Sequence, residues 1–389
     1  MKSGISILAV AFALVLPGVA QAQLAVSAND GKQLRPGEAP SSRTPDSVAV
    51  IDMSQTPPKV VGTVAAPALM IGPPTSVAVA SDSSFALVAS AQKMDGDEIV
   101  KNDVISVIDL ANPAAPRVVQ TVHAGAGATG VAINKAGTLA LVANTGSDTI
   151  SVFSIAGKRL TKVGDVPLAY QSRPTDVSFS PDGKTALAVA QSDGELIKLA
   201  VNGTSVTKTG IAIKPGVGPY GAVISRDGRY AYNTNLGGPV RPAGAARPSG
   251  PTISSVSVVD LQSNSVVSSV DVGMTSEHVE LSPDGKFLAV VVANGSAAAP
   301  GSPTYHDYGL LQVYRVEGAT LVRAAEAHTG QWCQGAAWSK DSRHILLQCA
   351  MTKDIETFDF DGKSALTRNE ATKLKFDARP GAISSGLSR

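Results

Sequence analysis

The sequence predicts an all-β fold, a closed ring of seven four-stranded antiparallel sheets of the β-propeller type. Three observations predict it. A short line recurs along the chain: Pro-Thr-Ser-Val-Ala-Val at 74–79, Pro-Thr-Asp-Val-Ser-Phe at 174–179, and Arg-Pro-Gly-Ala-Ile at 379–383. The first two copies are each followed by three more strand-like segments separated by turn residues. The two ends of the chain carry complementary parts of one such unit. Aligned on one apolar position, the units fall at Val77, Val131, Val177, Ala222, Val279, Ala336 and Ile383, spaced 45 to 57 residues apart. A period near 45 with insertions belongs to propeller blades.

Taken in order, the third unit shows the plan. Strand A covers Asp176 to Phe179. Ser180-Pro181-Asp182-Gly183 makes a tight turn, with proline presetting φ and glycine supplying a positive one. Strand B is 185–191, strand C is 195–201 and strand D is 206–213. The second unit repeats this as 139–144, 150–155 and 160–168. Strand B is often apolar on both faces, as in Leu139-Ala140-Leu141-Val142-Ala143, so both faces must be covered by neighbours. The N-terminal segment from Leu24 to Asp30 matches strand B, with C at 47–52 and D at 59–64. The missing strand A is 379–384. The seventh blade is therefore built from both ends, which closes the ring and removes exposed sheet edges.

The chain divides into two parts: residues 1–22 as an address and 23–389 as the ring. Lys2, the apolar run from Ile5 to Leu16, and Ala20-Gln21-Ala22 form a secretory signal pattern with cleavage after Ala22. The run is shorter than the roughly 20 residues of a spanning helix, so no stable membrane insertion is expected. The expected location is the periplasm. Equal numbers of basic and acidic residues to within one, a net charge of +1, leave no electrostatic footprint for nucleic acid. Two cysteines exclude a disulfide-dense scaffold and an all-cysteine zinc site. No Cys-x-x-Cys-His occurs, so covalent haem is not expected. No cofactor or metal is implied, and a monomer is expected.

Ser-Pro-Asp-Gly-Lys at 180–184 and 282–286, Val-Ile-Ser-Val-Ile-Asp-Leu at 104–110, Ser-Val-Ser-Val-Val-Asp-Leu at 255–261 and Leu-Val-Ala-Asn at 141–144 resemble the YVTN-type propeller repeat. The resemblance spans residues 24–389. It implies the fold of lactonase-like seven-bladed propellers and of the quinoprotein amine dehydrogenase-like superfamily. Members of these groups are lactone hydrolases, subunits of redox enzymes and binding proteins. Fold alone does not choose among them.

In a propeller the D-to-A and B-to-C connections share one face. Long B-to-C loops are expected at 30–46, 91–103, 236–253 and 295–308, marking that face as the working one. The residue before each aligned apolar position should lie near the channel mouth. Its occupants are Ser76, Gly130, Asp176, Gly221, His278, Gly335 and Ala382, of which Asp176 and His278 are ionisable. Arg173, Tyr220, Glu277, Trp332 and Arg379 stand beside them, and Asn29, Asn144, Gln191, Asn235 and Asn294 end the B strands. Together they make a polar mouth suited to a small polar ligand, or else bind channel water and blade-end backbone. His278 with Glu277, Asp176 or Glu280 could serve as general base for attack of water on an ester. No Gly-x-Ser-x-Gly elbow exists. Tyr305-His306-Asp307-Tyr308 is a further ligand-binding candidate, with a solvated loop as its alternative. The acidic run Asp95, Asp97, Glu98 with Asp103 offers calcium-type oxygens without EF-hand spacing and reads as a solvated loop. His123, His328 and His344 read as structural.

Cys333 begins strand A of the sixth blade and Cys349 ends strand B. With the turn centred on Asp341 they become cross-strand neighbours, so a disulfide is expected in an oxidising compartment, with a redox-active pair as the alternative. The functional expectation is an exported propeller binding a small polar ligand or a periplasmic protein on its B-to-C face. The alternatives are a lactone-type hydrolase at the channel mouth, and an accessory of a periplasmic redox enzyme.

Overall fold

A computed structural model describes residues 23–35, 37–238 and 252–387. The expected signal segment and most of the 236–253 loop lie outside these residues. Seven four-stranded antiparallel sheets form the ring. In blade one, strands A to D are Val77–Val79, Phe85–Asp95, Glu98–Asp109 and Arg117–His123. Blade two is Ala128–Ile133, Leu139–Asn144, Thr149–Ala156 and Arg159–Pro167. Blade three is Pro174–Phe179, Thr185–Ala190, Glu195–Asn202 and Ser205–Ile213, and blade four Pro219–Ile224, Tyr230–Asn235, Ile253–Asp260 and Ser265–Met274. Blade five is Ser276–Leu281, Phe287–Val292, Gly309–Glu317 and Thr320–Thr329, and blade six Cys333–Trp338, His344–Cys349, Asp354–Phe360 and Leu366–Lys375.

Blade seven joins the chain ends. Its strand A, Arg379–Ser385, pairs with Leu24–Asp30, and Ser47–Asp52 and Lys59–Ala65 complete it. Each of seven hydrophobic clusters sits between two neighbouring blades, and the last pair, blades six and seven, shares Ile51, Leu346, Ile355 and Ile383. This explains strands that are apolar on both faces: each face packs on a different neighbour.

The A-to-B turns are built by their own side chains. Ser180 Oγ donates to Asp182 Oδ1 at 2.6 Å, and Asp182 Oδ1 accepts the Lys184 N–H. Ser225 with Asp227 and Ser282 with Asp284 repeat the arrangement, while Gly183, Gly228 and Gly285 hold φ near +70°. These bonds to the ionised form hold the Asp182 and Asp227 carboxyls below their ordinary range, led by the serine hydroxyl.

One expected loop is different. Residues 91–103 are a β-hairpin, in which strands B and C of blade one continue their pairing from Gln92–Lys101 to Asp95–Glu98 around Gly96. Within it Met94 and Ile99 pair across the two strands, an apolar contact that favours the extended form over an irregular loop.

Candidate functional site

The working face is defined by one repeated corner. The residue before strand A adopts a left-handed conformation in five blades: Gly127, Arg173, Gly218, Thr275 and Trp332, with φ between +46° and +75°. The carbonyl of each accepts the N–H of the residue 18 positions later, just past strand B: Thr145, Gln191, Leu236, Ala293 and Ala350, at 2.8–3.3 Å. The next pair repeats the lock, as in Met351 N–H to Gln331 O at 3.3 Å. These bonds tie every such D-to-A corner to the start of a B-to-C loop. Glycine fits the corner at no steric cost. Arg173, Thr275 and Trp332 accept a cost of order 1–3 kcal/mol each and present a side chain where Gly127 and Gly218 present none.

Trp332 is the centre of the best-organised part of this face. Its N–H donates to Ser296 Oγ at 2.8 Å, and its Nε1 donates to Glu277 Oε1 at 3.2 Å. Gln331 Nε2 donates to the Tyr305 hydroxyl at 3.0 Å. Thus the 295–308 loop of blade five is fastened to the corner of blade six. Asn294, with φ of +52°, donates from Nδ2 to Tyr308 O. Tyr308 stacks on His328 with centroids 3.8 Å apart and planes 8° apart, and His306 stands 5.8 Å from Tyr308. His306 and Asp307 lie on this loop, with Asp307 exposed.

Directly beneath lies the disulfide. Cys333 and Cys349 are opposed in register and bonded to each other, fully buried. Gly330 N–H donates to the buried Glu356 Oε2 at 3.1 Å, and the Glu356 carboxylate lies 3.4 Å from Arg368 and 3.3 Å from Lys373. Burial pushes the Glu356 carboxyl up against those two cations. Among the described residues, the two sulfurs and Glu356 are the one cluster with metal-ligand proximity. Sulfurs joined to each other offer no thiolate, so the cluster reads as a structural anchor. The acidic tip of the 85–109 hairpin does not converge in this way, and Asp103 pairs with His123 Nδ1 at 2.8 Å.

The other mouth residues are drawn into the scaffold to different degrees. His278 is 2% exposed, and its Nε2 lies 3.3 Å from Glu280 Oε2, itself buried. Of its three possible partners, Glu280 is the near one, since Glu277 faces Trp332. Asp176, two blades away, accepts the Ala222 N–H at 3.0 Å and bridges blade three to blade four. A Cβ on Gly130 would stand 2.7 Å from the Asp176 Cα, which explains why the inner positions are small. Tyr220 is buried, with its carbonyl accepting from Thr175 Oγ1. Arg173 is exposed at its corner. Asn144 Nδ2 donates to Ser151 Oγ and its Oδ1 accepts the Gly125 N–H; Asn235 Nδ2 donates to Ser257 Oγ. Arg379 is 3% exposed, forked onto both oxygens of Glu38 and donating to Ala350 O and Gln33 O. Glu38, Ser296, Gln331 and His328 gave no signal in the repeat, because they sit in insertions or outside the aligned lines.

A family described as lactonase, 7-bladed β-propeller, matches residues 106–209. By fold, the chain is a lactonase-like seven-bladed β-propeller. A periplasmic gluconolactonase from Pseudomonas aeruginosa shares the fold at a TM-score of 0.66 and 15% identity, over 93% of this chain and 98% of that one. A Bacteroides fragilis protein provisionally assigned as a 6-phosphogluconolactonase aligns at 0.69 and 17%, over 95% and 99%. Hydrazine synthase of Kuenenia stuttgartiensis aligns at 0.56 and 17%, over 76% and 79%. No curated protein matches significantly. Among the described residues, no helix is long and apolar enough to cross a membrane.

Proposed function

We propose that this lactonase-like propeller is exported to the periplasm and binds a small polar ligand, of the polyhydroxy-acid class, at the corner between blades five and six. One observation carries the reading: Trp332, in a costly backbone conformation, is aimed at Glu277 and braced by Ser296, beside a Tyr305 hydroxyl held by Gln331. An indole, a carboxylate and a phenol so fixed give a ligand an apolar wall with acceptors and donors at its rim. The braces are in place before any ligand arrives, which lowers the ordering cost of binding. The disulfide and the Glu356–Gly330 bond hold the same corner from below. Likeness to a gluconolactonase supports the choice of ligand class.

A second reading, hydrolysis of a lactone, is favoured by the buried His278–Glu280 pair. The Glu280 carboxylate stands 3.3 Å from the imidazole Nε2, and an imidazole at the mouth is the side chain best suited to take a proton from water attacking the ester. Glucono-δ-lactone consumption followed by pH-stat separates the two readings. Turnover above the spontaneous rate that falls at least about a hundredfold in His278→Ala supports hydrolysis, the scale on which positioned general bases act. Saturable gluconate binding with no turnover supports the binding reading alone.

A further inference from the structure

On the face opposite the mouth, blades six and seven part to form a cavity of about 610 Å³. This lies within the roughly 300–1,000 Å³ range of small-molecule sites. Its apolar floor is Leu346 and Met53, both buried, and Pro57 and Pro58 of the blade-seven C-to-D turn form one wall. The opposite wall is made by an excursion in strand D of blade six. Strand C residues Ile355 and Thr357 pair with Leu374 and Asn369, so four residues of strand D oppose one of strand C. Glu356, that one residue, draws Arg368 and Lys373 inward, and the excursion leaves Asn369 and Thr372 lining the cavity.

The polar groups that line it are mostly acceptors. His344 Nδ1 is 2.7 Å from Asp359 Oδ1, which fixes the ring, and its Nε2 lies 4.0 Å from Asp341 Oδ2. Asp341 Oδ1 is occupied by Ser339 Oγ and the Arg343 N–H, and Gln55 Nε2 by Asp52. The acceptors that remain toward the cavity are one oxygen each of Asp341 and Asp359, the Gln55 carbonyl and the His344 Nε2; the lining also carries the Asn369 amide and the Thr56 hydroxyl, with Lys340 as its one lysine or arginine. An acceptor-rich rim over an apolar floor suits a ligand with a donor-rich cationic end and an apolar body.

We propose that this inter-blade cavity binds a small amphipathic amine, its ammonium group taken by Asp359 and Asp341 and its apolar body laid on Leu346, Met53 and the two prolines. The site is independent of the channel mouth. The test uses the mature full-length chain and a matched pair of probes, phenethylamine and 2-phenylethanol, titrated by calorimetry and two-dimensional NMR. The amine is expected to bind at least about tenfold more tightly than the alcohol, the scale of one hydrogen bond to a charged group. Perturbed resonances should be confined to 53–58, 339–346 and 357–372. Asp359→Asn and Asp341→Asn should each weaken the amine about tenfold and leave the alcohol unchanged. Thr372→Met, which fills the cavity, should weaken both. Equal affinity for the two probes, no binding of the amine at millimolar concentration, or amine affinity unchanged in both aspartate variants with unaltered melting temperatures would each overturn the proposal.

Discussion

At the scale of single residues, the working face is governed by what each corner can tolerate. Trp332, Arg173 and Thr275 hold a conformation that glycine takes freely at Gly127 and Gly218. Trp332→Gly should therefore relieve backbone strain while removing the indole. Gluconate affinity is expected to fall about tenfold or more with little loss of melting temperature, because buried aromatic anchors often carry more than about 1.4 kcal/mol. A large melting loss with affinity retained would assign the indole a purely structural role. Arg379 makes a contrasting case. Its place at the start of a strand marks it as a mouth residue, yet it is buried and forked onto Glu38. Its hydrogen bonds hold the Glu38 carboxyl below its ordinary value of 4.5. A carboxyl whose folded value is depressed contributes stability that is complete above its unfolded value and lost as pH falls through the folded one. The native protein should then lose stability between about pH 5 and pH 3 more steeply than Arg379→Met, as read by urea titration at each pH. Parallel pH profiles would show that the pair adds nothing.

At the scale of elements, strands and turns were legible because their physics is local and repeated. Ser-Pro-Asp-Gly makes the same turn wherever it occurs, and Val- and Leu-rich segments with apolar residues on both faces mark strands packed between blades. Insertions were not legible, because nothing repeats in them. The hairpin at 85–109 shows the limit: Asp95, Gly96, Asp97 and Glu98 read as a polar loop, but pairing from Gln92–Lys101 outward extends the strands. Partners of candidate residues were hidden for the same reason, since Glu38 and Ser296 lie in such insertions. The cysteine pair, by contrast, followed from register alone, with Cys333 opposite Cys349. Their bond closes a separation of 16 residues. Replacing both cysteines by alanine should cost about 3 kcal/mol, the loop-entropy scale for such a span, and loosen the Trp332 corner. Hydrogen exchange at the Gly330 and Ala350 amides would report the loosening, and unchanged exchange would detach the disulfide from the site.

At the scale of the whole molecule, the ring is closed by a strand whose partners lie more than 300 residues away in the chain. Residues Ala25–Asp30 pair with Arg379–Ser385, and the cluster between blades six and seven includes Ile383 from that strand. Deleting residues 379–389 leaves strand B of blade seven with an exposed edge and uncovers that cluster. The melting temperature is expected to fall sharply and the protein to associate through the open edge. An unchanged melting temperature would contradict closure by this strand. A closed ring also accounts for the order of the site, since the corners of blades two to six are locked to their own B-to-C loops and each blade is wedged by two neighbours. The proposed function rests on the corner between blades five and six, and tryptophan fluorescence reads that corner directly. The chain has two tryptophans, Trp332 half-buried at the corner and Trp338 buried in the core. Titration with gluconate should give a saturable fluorescence change that disappears in Trp332→Phe, whereas no saturable change, or the same change in both proteins, would contradict ligand binding at this site.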